Sequence, residues 1–429
     1  MKKFIYFVFV SIIIVIISFG IYQNSNKYNL NILYKSIDWS INTKGCDKAR
    51  SFDFDDKGNL YIAYEDSIKI ISADNKENKI VKRSGLNIYD IAIRDNSIII
   101  ASGNAVLQYD TDNDVWVDLI KDMPNTGVNK AVKLLVKNND IYVAIGSNTN
   151  AGVVDEPGGA YDKASFHWEL TGASFGAGDT GGFLPYGTAA ALGTEIKEEV
   201  LSNAVIIKYD CAAQKVSNYA TGIRNIKGLD YTSDGKIIGI TGGIESYGAR
   251  GIDNDSDYIY EIKENGWYGW PDFSGGDLIN SPRFISEDKN RELLIKNHPV
   301  EVVYGPIYQH KSVSSLNGLA IDKEGKCIQK DTVIFADNNE KYLYAMTKEG
   351  IANVIVELSD TTIVETIRYY NGAFYVLDSG MGCIYILEGK DANTTFSLHK
   401  SIWAFCIIFL IVLIISIVFK VKGKEIKKN

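Results

Sequence analysis

The sequence predicts an all-β fold: a six-bladed β-propeller ectodomain flanked by an N-terminal and a C-terminal transmembrane helix. Three observations carry this. Six similar strand–turn–strand units recur through the middle of the chain, helical periodicity is nearly absent between residues 30 and 390, and an apolar run stands near each end. Spaced strand pairs that repeat at roughly 40 residues are the sequence mark of propeller blades.

The repeating units are 55–72, 94–110, 137–147, 233–243, 331–347 and 371–388. Each reads as a polar turn, a short apolar strand, a small polar loop and a second strand with alternating pattern. The last unit, from about residue 362 to 389, supplies only three good strands. Residues 30–40 are expected to add the fourth, closing the ring with the other end of the chain and removing two exposed sheet edges. The propeller is expected to span 30–392, with a long insertion at 148–202 in its third blade. Tyr161, Phe166, Trp168, Phe183 and Tyr186 argue that this insertion is ordered, since disordered segments lack aromatics. It reads either as a lid over a ligand or as a packed cap.

The ends set the expected location. Residues 4–21 and 402–419 are each close to the length that crosses a bilayer as a helix. Lys2 and Lys3 precede the first; Lys420, Lys422, Lys424, Lys427 and Lys428 follow the second. Lysines stay in the cytoplasm, so residues 1–23 form an anchor or a signal peptide, 401–420 a second helix and 421–429 a basic cytoplasmic tail. The expected site is a bacterial cell membrane, both termini cytoplasmic and the middle outside. The composition, rich in Ile, Lys and Asn and poor in Pro, reads as that of an AT-rich bacterial genome.

The chain of 429 residues has a formal charge of −8, and without its basic tails about −14 remains on the rest. That disfavours nucleic acid as a partner. Cys46, Cys211, Cys327 and Cys383 are far apart and form no metal knuckle, and Cys406 falls in the second apolar run. They read as isolated core residues. No Ser-His-Asp, P-loop or H-E-x-x-H pattern supports a hydrolase or nucleotide enzyme.

Candidate ligand-binding residues gather on the loops that open on one face. Arg224 and Asn225 pair a guanidinium with an amide, a fork of donors for a carboxylate or carbonyl. Tyr268 and Trp270 offer an apolar wall, and Asn148 and Asn150 sit on the third-blade loop that shares the face with Arg224. Asp253, Asp255 and Asp257 alternate carboxylates, a weak calcium pattern that lacks the glycine and terminal glutamate of an EF-hand loop.

Gly222, Arg224, Asn225, Gly228 and Leu229, followed by residues 268–276 (YGWPDFSGG), resemble the glucose/sorbosone dehydrogenase family. The third-blade texts GSNTNAG and TGGFLPYGT resemble a branch of the same family. The resemblance implies a six-bladed propeller carrying pyrroloquinoline quinone and calcium, the metal held largely by main-chain oxygens. It also implies a histidine base in the loop before the strand at 141–145. This chain departs there: Asn129 and Lys130 fall near the expected position, and an asparagine takes no proton near neutral pH. His167 and His310 are the remaining histidines that could reach the mouth. Three readings stay open: a ligand-binding propeller for a saccharide or quinone with doubtful redox activity, an active quinone-dependent sugar or aldehyde dehydrogenase, and a surface protein-interaction propeller.

Overall fold

The computed structural model describes residues 27–74, 76, 78–284 and 291–390. Within it Ile32–Gly389 form one compact unit. The apolar runs 4–21 and 402–419 and the tail 421–429 lie outside the described residues. Among the described residues no helix is long and apolar enough to cross a membrane.

Six sheets, each built on antiparallel strands, follow one another along the chain, and in the third Lys215–Thr221 also pairs in parallel with Gly266–Trp267. Each blade begins with its innermost strand: Ser51–Phe54, Ile88–Arg94, Lys133–Lys137, Ile226–Tyr231, Leu316–Ile321 and Val364–Tyr370. These six strands contact one another in sequence and the last contacts the first, which makes a closed ring. The strand Ile37–Lys44 pairs with Cys383–Gly389 as the fourth strand of the sixth blade, so the start of the chain completes the blade formed by its end. The closing strand lies a few residues later than the 30–40 expected. Its alternating exposure places Ile37 in the core and leaves Leu33 and Tyr34 outside.

The inner strands lie unusually close together. A Cβ on Gly228 would sit 2.8 Å from the backbone nitrogen of Leu319, so only glycine permits this approach of blades four and five. A carboxylate ties three of the neighbouring pairs. The Oδ2 atoms of Asp53, Asp90 and Asp230 accept from the backbone nitrogens of Ile93, Leu134 and Ile321, each at 2.9 Å and each on the following blade. Between blades the core is β-branched and aliphatic, as where Ile99 and Val106 of blade two meet Val143 and Ile207 of blade three.

The insertion is a packed cap with its own core. Trp168–Glu169 pairs with Glu195–Ile196, and Ser174–Phe175 with Thr180–Gly181. Trp168 and Phe183 from this segment bury against Trp267, Trp270 and Phe273 from the loop after blade four's third strand. Asp272 anchors that core: it takes the Arg250 guanidinium at 2.9 Å, the nitrogens of Leu294 and Ile295, and His298 at 3.0 Å. Cys46, Cys211, Cys327 and Cys383 are free thiols.

Candidate functional site at the propeller mouth

Each blade is an up-and-down meander, so the loops entering first strands and leaving second strands share one face, the mouth. Arg224 enters blade four on that face and is buried, as are Asn225, Asn148 and Asn150. Its Nε donates to the Asn150 carbonyl at 2.9 Å and its Nη2 to Asn150 Oδ1 at 2.8 Å, with Glu245 at 3.6 Å. Trp270 Nε1 also donates to the Asn150 carbonyl, at 3.2 Å. Asn150 in turn donates to the carbonyls of Glu245 and Tyr247. The structure thus brings Arg224, Asn150 and Trp270 together, with most of their polar atoms satisfied by one another.

Tyr268 joins Arg224 and Trp270 around one interior cavity of about 20 Å³, room for about one water. Its hydroxyl is taken by the backbone of Glu261 and Lys263. Thr241 Oγ1, from a residue that lines this cavity, is buried without a hydrogen-bond partner among the described residues, which fits a bound water better than a ligand ring. Asn148 holds loops together: it accepts from Gly127 N and donates to the Tyr161 carbonyl.

At the position implied for a base, Asn129 Nδ2 donates to Ser147 Oγ at 2.9 Å, and Lys130 is exposed. The described histidines do not replace it. His310 is buried against Asp337 at 3.0 Å, His298 belongs to the cap core, and His167 is exposed with its carbonyl taken by Asn297. The three alternating aspartates diverge. Asp255 accepts from Ile244 N and Ser274 Oγ, Asp257 from Gly243, Ser314, Ser315 and Leu316, and Asp253 lies 3.9 Å from Arg291. Among the described residues no group of three or more potential metal ligands converges.

Two spaces escaped the sequence reading. On the mouth face, between blades six and one, a cleft of about 650 Å³ is lined by Asp47, Lys48, Arg50, Tyr64, Glu65, Asp66, Glu365 and Ser379. Arg50 is fixed there by Glu65 at 2.9 Å and by the Asn87 side chain at 2.8 Å. At the other end of the channel lies a cavity of about 180 Å³ with Asp53, Asp230, Lys323 and Arg368 on its wall. These residues come from loops and strand ends hundreds of positions apart, and no local motif marks them.

The fold is that of the quinone-dependent sugar dehydrogenases. The chain is similar to the holo pyranose dehydrogenase PQQ domain of Coprinopsis cinerea (TM-score 0.55, 12% identity, 84% of this chain and 97% of that one). It is equally similar to the calcium structure of a family AA12 carbohydrate-active enzyme from Trichoderma reesei (0.57, 14%, 85% and 98%). The apo soluble aldose sugar dehydrogenase of Escherichia coli also aligns (0.53, 13%, 82% and 100%). No protein-family model matches the sequence, and no curated protein sequence matches it significantly. At such identities the likeness establishes the fold, and function rests on the site.

Proposed function

We propose that this chain is a membrane-tethered extracytoplasmic propeller that binds a saccharide on its mouth face and does not perform quinone-dependent oxidation. The observation that carries this is a contrast on one face: the Nε–Nη2 edge of Arg224 is taken by Asn150, while a polar cleft of about 650 Å³ stands open between blades six and one. That volume lies in the range of small-molecule sites. Tyr64 supplies an aromatic ring, and Arg50, Lys48, Glu65 and Asp66 supply donors and acceptors for hydroxyls.

Pyrroloquinoline quinone, the PQQ of the Coprinopsis domain, fits these residues poorly. It brings several carboxylates. The cleft carries four acidic side chains against two basic ones, so a polyanion is repelled there, while the Nε–Nη2 edge of Arg224 is already taken by Asn150. The residue implied as base is an amide donor to Ser147.

Both chain ends of the propeller leave from the face opposite the mouth, since Ile37 pairs with Gly389 where the third strand of blade six ends. The test is calorimetric titration of the purified full chain with neutral oligosaccharides, alongside pyrroloquinoline quinone plus calcium and dye reduction with aldoses. Saccharide binding lost in Tyr64→Ala, with no dye reduction, is the expected result. Brisk quinone-dependent oxidation of a sugar would overturn it in favour of an active dehydrogenase.

A further inference from the structure

The outermost strand of each blade is a sheet edge, a row of backbone N–H and C=O groups open to another chain. Five of the six outer edges are protected. Asn78–Lys82 of blade one exposes Lys79 and Lys82. Lys215–Thr221 of blade three exposes Lys215 and Ser217, and Gly266–Trp267 pairs with its end. The fourth strand of blade four is only Tyr308–Gln309. Ala352–Glu357 of blade five is flanked by Asn31–Ile32. Ile37–Lys44 of blade six exposes Asp38, Ser40, Asn42 and Lys44.

Blade two is the exception. Its outer strand, Val115–Ile120, reads VWVDLI: β-branched and aromatic, free of lysine and proline. Among the described residues it ends its sheet unpaired, and Val115 and Val117 are 50% and 47% exposed on one side of it. Side chains alternate, so Trp116 and Asp118 lie on the other side. There Arg83 Cζ stands 5.3 Å from the Trp116 ring centre, and Arg83 Nη1 lies 3.3 Å from Asp118. The register irregularity in this strand falls after Asp118, so 115–118 remain regular.

Hydrogen-bond parity and charge select the occupant. The two-residue loop 103–104 makes Ser102 and Ala105 a hydrogen-bonded pair. Alternating from there, Val115 bonds Asp110 and Val117 bonds Gln108, which turns the backbone groups of Trp116 and Asp118 outward. A second copy of the strand, laid antiparallel, then bonds Trp116 to Trp116, Asp118 to Asp118 or Trp116 to Asp118. The first sets Asp114 against Asp118 and the second opposes two aspartates, like charges that destabilise a sheet pair. The third opposes no like charges within 115–118. It places Val117 against Val117 on a two-fold axis and Trp116 beside the other copy's Asp118. Lys121, 3.2 Å from its own Asp118, comes near the other copy's acidic turn 112–114.

We propose that the outer strand of blade two pairs with the same strand of a second copy, forming an antiparallel two-fold dimer centred on Val117. Such an isologous contact closes on itself and does not grow into fibres. A twist of roughly 20–25° per strand turns the fourth strand far from the direction of the channel. The two-fold axis, normal to the paired edges, therefore lies nearer to that direction, and both mouths open the same way.

The test is sedimentation velocity of the full chain in detergent, over a concentration series to about 0.1 mM. The parent chain should dimerise. Val117→Lys and Val117→Glu should each weaken dimerisation about tenfold or more, by setting like charges together on the axis. An equimolar mixture of the two should restore it, which also shows that both variants are folded. With copper phenanthroline, Val117→Cys should form a disulfide-linked dimer above the background of the parent's own thiols, and Val115→Cys should not. A parent that stays monomeric throughout the series, or a dimer that persists in both charged variants, would overturn the proposal. Cross-linking through residue 115 in preference to 117 would do the same.

Discussion

Arg224 donates to both the carbonyl and the side-chain oxygen of Asn150, at 2.9 and 2.8 Å, so one guanidinium grips one asparagine on the neighbouring blade's insertion. A pair that resembles a ligand fork in the sequence is a clamp between blade four and the cap in the structure. The two roles predict different phenotypes.

Arg224→Ala should destabilise the fold by about 2–4 kcal/mol, because it empties a buried site and removes two charge-assisted hydrogen bonds to Asn150. Urea unfolding would show the loss, and limited proteolysis would show faster cutting within 148–202. Arg224→Lys should rescue little, since an ammonium does not reproduce the planar fork. Unchanged stability with impaired ligand binding would return Arg224 to the binding site.

Restoring a histidine should not restore oxidation. General-base assistance is worth about 10²–10⁴ in rate, but only where an oxidant and substrate are seated beside it. Asn129→His should therefore stay at background in dye reduction with quinone, calcium and aldoses. A hundredfold rise would show that the quinone binds despite the closed Arg224.

Stability should fall as pH rises from about 4 to about 7 through Asp162. Burial pushes its carboxyl up to about 7, against hydrogen bonds from Thr149 and Asn148 and the charge of Arg224. The unfolded group titrates near 4, so across this window the native state keeps a proton that the unfolded chain has released. The difference in unfolding free energy between Asp162→Asn and the parent should grow in the variant's favour over that window and level off above it. A difference that is flat with pH, measured by urea titration at several pH values, would refute the assignment.

Ring closure should depend on Arg368 and Asp90. Arg368 of blade six reaches Asp90 of blade two at 3.2 Å and the Ile91 carbonyl at 3.1 Å, with Asp53 of blade one at 3.9 Å. Arg368→Met should cost about 3 kcal/mol by leaving a buried carboxylate uncompensated. A double-mutant cycle with Asp90→Asn should recover about 1–3 kcal/mol as coupling. Additive losses would mean that the two residues act separately.

The six blades were legible in the linear chain, because strand–turn–strand patterning is local: each unit states its strands through alternation and its turns through Gly, Asn and Asp. So was the order of the insertion, through its aromatics, and the ring closure, through the missing fourth strand of the last blade. Placing Arg224 and Asn150 on one face needed no coordinates either, since propeller topology assigns loops to faces. What those side chains bond to was decided by packing. Whether a guanidinium is a ligand fork or a clamp depends on who fills its donors, and Asn150 arrives from 74 positions away. The mouth cleft is likewise built where residues 47–67 meet Glu365 and Ser379, across the seam of the closed ring. Spacing along a chain fixes periodic elements, whereas a cavity is what remains between elements once they have packed.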